Sequence, residues 1–360
     1  MKFSLIGRMR TAKTSLIKRM RLALMRGAAA SGWRAAIYYT MFSSAFRREQ
    51  KAVLSGILQY EAAAQSENGN LFLLKRNIHR LEKGLTARAR RPIFALDYIA
   101  ETVATYAKCA RRAAEPCQRA DLVWAADVLD NYFHSVAAHP VIDAARAEFR
   151  AVAPQQAGAE PHAMRSPSSA ALPPEAYATL TAICAARHAV RWFQPQPVPR
   201  EVIDSALRLA CAAPSACNRQ PIYYHVFDHP DDAAYLAAIP VGARDFAQNI
   251  PALAALVGDL SAFHSERDRH IIYLDAALSA MTFMYALETL GVSSCPINWP
   301  DMAEPDARMT SLLHLRPHER VLLLIAVGYA DPSGLIAHSQ KKDLADMRRF
   351  HEHDSRMASA

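Results

Sequence analysis

The chain has 360 residues, 51% hydrophobic and 21% charged, which is long enough for two cores and too apolar for wholesale disorder. Its formal net charge of +8 favours anionic partners, whether a phosphate-bearing cofactor, an acidic substrate, a lipid surface or nucleic acid. Six cysteines without a CxxC pair exclude a disulfide framework and a structural zinc site, and point to the reducing cytoplasm.

Residues 1 to about 46 mix Arg and Lys with Leu, Ile, Met, Trp33 and Tyr38 and contain no acid, a pattern that predicts an amphipathic helix. Such a tail could make peripheral contact with an anionic membrane, or simply pack on its own protein or stay partly disordered. No apolar run reads as long enough to cross a bilayer and no secretory h-region follows the basic start, so a soluble or membrane-peripheral chain is expected.

Residues 50–150 are Ala-rich and nearly free of Gly and Pro, and Leu71, Leu74, Ile78, Leu81 and Leu85 recur at helical spacing. A mainly α-helical region is predicted, with Gly84 ending one helix, Arg91-Pro92 opening a connection and another helix starting near Phe94. Asp121 to His134 reads as a further amphipathic helix. Arg76, His79, Arg80 and Lys83 share one helical side, either an anion site or a solvated basic face countered by Glu82.

Five prolines with Gly158, Ser166, Ser168 and Ser169 mark 151–174 as a linker. Beyond it, helical patterns alternate with short apolar runs, Tyr223 to Phe227, Leu253 to Val257 and Val321 to Val327, which read as strands buried in a mixed sheet. The expected organisation is a helical N-terminal region with a basic tail at 1–150, the linker at 151–174, an α+β domain at 175–350 and a C-terminal tail at 351–360.

Two segments carry chemistry. Arg187-His188-Ala189-Val190-Arg191-Trp192-Phe193 follows the helix-like Tyr177 to Ala186; two Arg four apart can act on one anion, although a pair of solvated arginines at a helix end looks the same. Ala213-Pro214-Ser215-Ala216-Cys217-Asn218-Arg219-Gln220-Pro221 joins the helix-like Glu201 to Ala212 to the strand at Tyr223. Its Ser, Asn and Gln suit the polar edge of a heterocycle, or an ordinary helix-to-strand turn.

Together, in this order, the two segments resemble the RRSxRxF and PSxxNxQPW signatures of the nitroreductase family. Further likenesses are Asp275-Ala276-Ala277-Leu278 to Leu290-Gly291-Val292, Cys295-Pro296-Ile297, Val321 to Gly328-Tyr329, and Ser339-Gln340-Lys341-Lys342. The resemblance runs from about Tyr177 to Phe350. It implies a nitroreductase-like mixed sheet flanked by helices, FMN as cofactor, NADH or NADPH as hydride donor, and a homodimer with flavin at the subunit interface.

By that resemblance Arg187 binds the FMN phosphate, and His188 and Ala189 add mainly backbone contacts. Arg191 faces the flavin N1 and C2 carbonyl, where a fixed cation favours the reduced anion, and is the expected catalytic residue. Pro214, Ser215 and Asn218, with Gln220 in the same loop, would meet the ring from the second subunit. Pro296, Ile297 and Asn298 would lie near N5, and Lys341 with Ser339 or Lys342 would complete the phosphate site. The implied activity is ping-pong reduction of a nitroaromatic, quinone or similar electron-poor acceptor.

The segment departs from the family pattern at His188, Ala189 and Asn298-Trp299, and Trp299 could stack on a substrate, crowd the ring or pack in the dimer interface. The rival reading is a catalytically inactive nitroreductase-like binding or assembly subunit at a membrane. Residues 76–92 resemble an extension of nitroreductase-like proteins encoded near polysaccharide-synthesis functions. No GxGxxG after a strand, GxxxxGK[ST], HExxH or GxSxG occurs. His264, Glu266, Asp268 and His270 match no standard metal spacing, so no metal is expected. Nucleic-acid binding is not expected either, because no module or interleaved aromatics accompany the basic tail.

Overall fold

The computed structural model describes residues 18–111, 116–152 and 171–353, without the side chains of 116 and 117. The basic segment 1–17, most of the expected linker and residues 354–360 of the expected tail lie outside the described residues. Residues 18–152 are helical: α1 (18–28), α2 (Gly32–Met41), α3 (Arg47–Gln65), α4 (Leu71–Leu85), α5 (Ile99–Ala110), α6 (Pro116–Ser135) and α7 (Pro140–Val152).

The heptad-like leucines explain α4. Asn70 caps it, its side chain accepting from the Leu73 N–H at 3.1 Å, and Leu74, Ile78, Leu81 and Leu85 then fall on one face. That face packs with Ile99, Val103, Leu129, Tyr132 and Ile142 of α5 to α7 in one core. Gly84 does not end the helix; Thr86 does. A Cβ at Gly84 would stand 2.2 Å from the Phe94 ring, so the glycine serves a close approach. The next helix starts at Ile99 rather than near Phe94, because Phe94 turns in against Gly84 and Ala95 takes a φ of 65°. The basic side of α4 is partly neutralised: His79 meets Glu82 at 3.1 Å, and Arg80 meets Asp97 at 3.4 Å while lying over the Tyr98 ring.

The second half contains α8 (Glu175–Ala186), α9 (Arg200–Ala210), β1 (Ile222–Phe227), α10 (Pro230–Ala237), β2 (Ala252–Asp259), α11 (Ile271–Thr289), β3 (Ser293–Asn298), α12 (Ala303–Leu312), β4 (Glu319–Gly328) and α13 (Leu344–Met347). The strands form one sheet in the order β1-β2-β4-β3, each pair antiparallel. Parallel pairing among the described residues is confined to a single bridge, Ala189 to Ser294. The layout is the expected α+β one, and the sheet is antiparallel where the apolar runs suggested a mixed one. Those runs report burial on both faces, not strand direction: Leu253, Ala255 and Val257 enter one core, and Ala252, Ala254 and Leu256 the other.

The segment Glu266–Thr289, which includes α11, does reach the length and apolarity of a membrane span, contrary to the sequence expectation. Its burial gives the reason. Ala276, Ala280, Phe283 and Leu287 pack with α9 and the sheet, and Asp275 is buried in its first turns. The side packed on α9 and the sheet is apolar as a core face requires, whereas Leu274 and Leu278 on the outer side stay exposed.

The N-terminal helices rest directly on this domain. Ala52 and Val53 of α3 pack with Leu260, Ala262, Phe263 and Ile272. Arg48 binds Asp301 at 2.8 Å. At Gly56 a Cβ would approach the Leu260 backbone carbonyl to 2.7 Å. Backbone cannot swing aside as a side chain can, so Gly56→Ala should lose about 1–3 kcal/mol to overpacking. Only ~1 kcal/mol of helix propensity offsets that loss. Urea titration should give a lower midpoint for the variant, and an unchanged or higher midpoint would mean that the seam yields.

Candidate active site

The first group of site residues is set by which side chains the core takes up. Arg187 closes α8, its N–H bonded to the Ile183 carbonyl at 3.0 Å, and leaves the helix in an extended conformation. Val190 then donates to the Ser294 carbonyl at 3.1 Å, tying the segment to β3. Val190 and Phe193 are buried in the core, so Arg191 and Trp192 between them are left exposed. Asn249 locks this course by accepting from the Phe193 N–H at 2.8 Å. On β3 strand alternation buries Ile297 and exposes Pro296 and Asn298.

Arg191 lines a cavity of about 280 Å³ with Phe246, Pro296, Ile297 and Asn298, its guanidinium 6.0 Å from the Phe246 ring centre. Burial pushes the Cys295 thiol up, against the pull of the Arg191 and Arg187 charges, so both guanidiniums act on this strand. Burial likewise raises the Glu288 carboxyl, with Arg187 and His188 opposing. The structure thus gathers Arg187, His188, Ala189, Arg191, Pro296, Ile297 and Asn298 around one strand.

The second group is a strained loop pinned by a buried acid. Cys217, Asn218 and Gln220 all have positive φ, near 53°, 52° and 54°. Asp275, 5% exposed, holds this shape by accepting from the Ser215 hydroxyl at 2.6 Å and from the Ala216 N–H. Ser215 in turn accepts from the Gln220 N–H at 2.7 Å. Burial raises the Asp275 carboxyl above its usual range, partly countered by those hydrogen bonds and the Arg219 charge. Pro214, Ser215 and Gln220 border a second cavity of about 330 Å³ with Tyr223, Asp275 and Ser279.

A buried lysine from the helical half reaches this loop. The Lys75 ammonium of α4 donates to Asp121 at 3.2 Å and to the Gln220 side-chain oxygen Oε1 at 3.5 Å. An ammonium only donates, so it turns the Gln220 amide nitrogen towards Asn218, whose side-chain oxygen accepts at 2.8 Å. The Asn218 amide is thereby left with its N–H groups uncommitted to Gln220. Arg219 is 4% exposed, over the Phe263 ring and bonded to the Ala216 carbonyl at 3.2 Å.

Within one copy these two groups stay apart. The loop enters β1 at one edge of the sheet, whereas Pro296 to Asn298 belong to β3 at the other. Ser339, Lys341 and Lys342 join neither cavity; they lie exposed on the arm after β4, whose side-chain hydrogen bonds are local. Trp299 is in the core at 8% exposure, its indole N–H 3.5 Å from Asp306, so it neither covers the cavity nor offers itself to an interface. Sequence reasoning missed Asn249, Phe246 and Lys75, whose roles are set by distant partners; Asp275 had a signal, a carboxylate inside an apolar helix. Asp259, His318 and Glu319 lie close enough to hold a cation, but Arg316 already binds both carboxylates, at 3.4 and 2.6 Å.

The sequence of this half matches the Nitroreductase family over residues 184–329. The chain is 24% identical to a 4-nitrobenzoate reductase of Pseudomonas putida over 201 residues, 43% of this chain and 87% of the reductase. It is 25% identical to an iodotyrosine deiodinase of Danio rerio over 194 residues, 45% of this chain and 63% of the deiodinase, just under two thirds of that relative's length. Among solved structures, a nitroreductase family protein from Streptococcus pneumoniae aligns at 23% identity and a TM-score of 0.42, over 48% of this chain and 100% of its own. An FMN-dependent nitroreductase from Clostridium difficile aligns at 21% identity and 0.41, over 48% and 99%. In this chain the stretch that matches the family is preceded by the helices of 18–152.

The raised carboxyl of Asp275 makes a pH prediction. A carboxyl whose folded value lies above its unfolded one stabilises the fold fully below the ordinary range, and that contribution is lost as the pH rises through the folded value. Asp275→Asn keeps the volume and removes the titration. Denaturation from about pH 4 to pH 7 should therefore shift the stability difference steadily towards the variant. A difference that does not change with pH would show that Asp275 titrates normally.

Proposed function

We propose that this protein is an FMN-dependent oxidoreductase that takes hydride from NADH or NADPH and, in a ping-pong cycle, reduces a nitroaromatic, quinone or similar electron-poor acceptor. It would act as a homodimer in the cytoplasm. The observation that carries this reading is the cavity that Arg191 shares with Pro296, Ile297 and Asn298 of β3, with Arg187 near enough for its charge to act on Cys295 of the same strand, inside the stretch that matches the Nitroreductase family.

The donor set fits a flavin mononucleotide: one guanidinium for a phosphate, another for the electron-rich edge of a ring, an edge strand with backbone groups to spare, and an Asn-Gln amide pair for a pyrimidine edge. Bound FMN would supply the two-electron chemistry that no side chain here offers. Arg191 would hold a fixed positive charge where reduction deposits a negative one, with no reorganisation at that moment. Arg187, with Lys341 and Ser339 or Lys342, would bind the phosphate. With Trp299 buried, the acceptor would meet Asn298 and Met302 at the cavity rim.

The placement of the two groups in the sheet favours a dimer. The Pro214–Gln220 loop and the Arg191 cavity sit by opposite sheet edges, so a single ring could touch both only if each came from a different copy. Unpartnered apolar surface is available for that contact. Helix α8 has no buried residue, Leu274 and Leu278 of α11 are exposed, and the arm after β4 leaves Leu335 and Phe350 bare.

Purified protein should carry yellow FMN that bleaches on anaerobic addition of NADH or NADPH; protein that stays colourless after FMN loading would leave the inactive-subunit reading. In flavin-loaded protein, Arg191→Ala should slow flavin reduction on the order of 100-fold. Mixing Arg191→Ala and Asn218→Ala chains tests the shared site, since each mixed dimer regains one intact site. About a quarter of wild-type activity should return after subunit exchange, and none would return if each site were built from one copy.

A further inference from the structure

The net positive charge of this protein has one source. Residues 1–48 hold eleven of the 42 Lys and Arg and no acid, so the remaining 312 residues, with 31 basic and 34 acidic side chains, are slightly negative. Among the described residues this charge is carried by the α1–α2 hairpin, and the same hairpin leaves its apolar side chains open. Met20, Ala23, Leu24, Gly27 and Ala28 share one face of α1 and, with Ile37 and Phe42, line a groove of about 650 Å³. Lys18, Arg19, Arg21 and Arg26 occupy other positions around α1, and Arg34 stands at the groove rim.

Large apolar side chains are exposed along this hairpin, as Leu54 and Leu58 of α3 also are, whereas Leu73, Leu74, Leu81 and Leu85 of α4 are buried. Trp33 is 81% exposed and Phe42 64%. The hairpin is nevertheless braced. Tyr38 is buried and meets the Tyr39 ring edge-on at 5.2 Å, Tyr39 meets Phe46 at 4.5 Å, and Arg47 donates to the Thr40 carbonyl at 3.1 Å. From there α3 runs onto the catalytic half, with Arg48 bound to Asp301. The result is a platform attached to the body of the protein.

We propose that the α1–α2 hairpin docks the protein on an anionic lipid bilayer. Basic side chains meet phosphate-bearing headgroups, Met20, Leu24, Ile37 and Phe42 enter the acyl boundary, and Trp33 lies at the interface, where its ring suits both environments. The charge pattern selects this occupant. A second copy would bring the same uncompensated cations and be repelled. Nucleic acid would match the charge and gain nothing from the open groove. A lipid surface uses both features at once.

Vesicle flotation of the full-length protein tests this. Binding is expected to phosphatidylcholine vesicles containing phosphatidylserine, to be much weaker with phosphatidylcholine alone, and to fall at about 0.5 M salt, where screening shortens the reach of the charges. Arg19→Ser/Arg21→Ser should weaken partitioning about 25-fold, from a factor of roughly five per basic residue. Leu24→Glu/Ile37→Glu should abolish flotation while melting like wild type. Absence of binding to anionic vesicles at low salt, or binding that the groove variant leaves intact, would overturn the proposal. So would light scattering in which that variant dissolves a larger oligomer without any lipid binding, which would make a second copy the occupant. Retention on polyuridine without flotation would make the partner nucleic acid and equally overturn it.

Discussion

Burial of β2 on both faces is the constraint from which the rest of the C-terminal half follows. All eight residues from Ala252 to Asp259 are buried, so helices must cover the sheet on each side and the strand must sit in its interior. Its neighbours β1 and β4 are then fixed by antiparallel pairing, and the remaining strand β3 can only close the far side. Chemistry is pushed to the edges, where backbone groups and side chains are free to meet a ligand. One edge carries the strained loop, the other the arginine cavity.

The two edges are organised differently. Around β3, core burial does most of the work: alternation along the strand buries Ile297 and presents Pro296 and Asn298, and the burial of Val190 and Phe193 leaves Arg191 outside. Around β1, regular periodicity gives way to a loop with three positive φ values, held by hydrogen bonds from Ser215 and Ala216 to a single buried carboxylate. Ser215 is consumed by that scaffold, so its hydroxyl serves the loop first. Strain and a buried charge together mark a place where geometry is maintained against local preference.

The N-terminal helices are joined to this machinery. Through Gly56 and Val53 they press on the turn after β2, and through Lys75 they orient the amides of Gln220 and Asn218. A polar chain from Asp121 to Asn218 thus crosses from one half of the molecule to the loop of the other. The same helices end in a hairpin whose exposed face is basic and apolar, so the seam lies between a surface suited to docking and a loop suited to binding.

Much of this was legible in the residues. The leucine spacing of α4, the helices at Asp121 to His134 and Tyr177 to Ala186, and the three apolar strands are local signals of periodicity, and the ordered Arg187–Arg191 and Pro214–Gln220 segments exposed the family. Tertiary structure alone decided the rest. Strand direction was hidden because a strand buried on both faces reads the same in either sense. Gly84 looked like a helix end because its reason, the Phe94 ring, lies ten residues away. The burial of Trp299, the grip of Asp275 on the loop and the reach of Lys75 to Gln220 depend on partners 7, 60 and 145 residues distant. Periodicity is written between neighbours in sequence, whereas the polarity of a site is set by whichever distant groups folding brings to it.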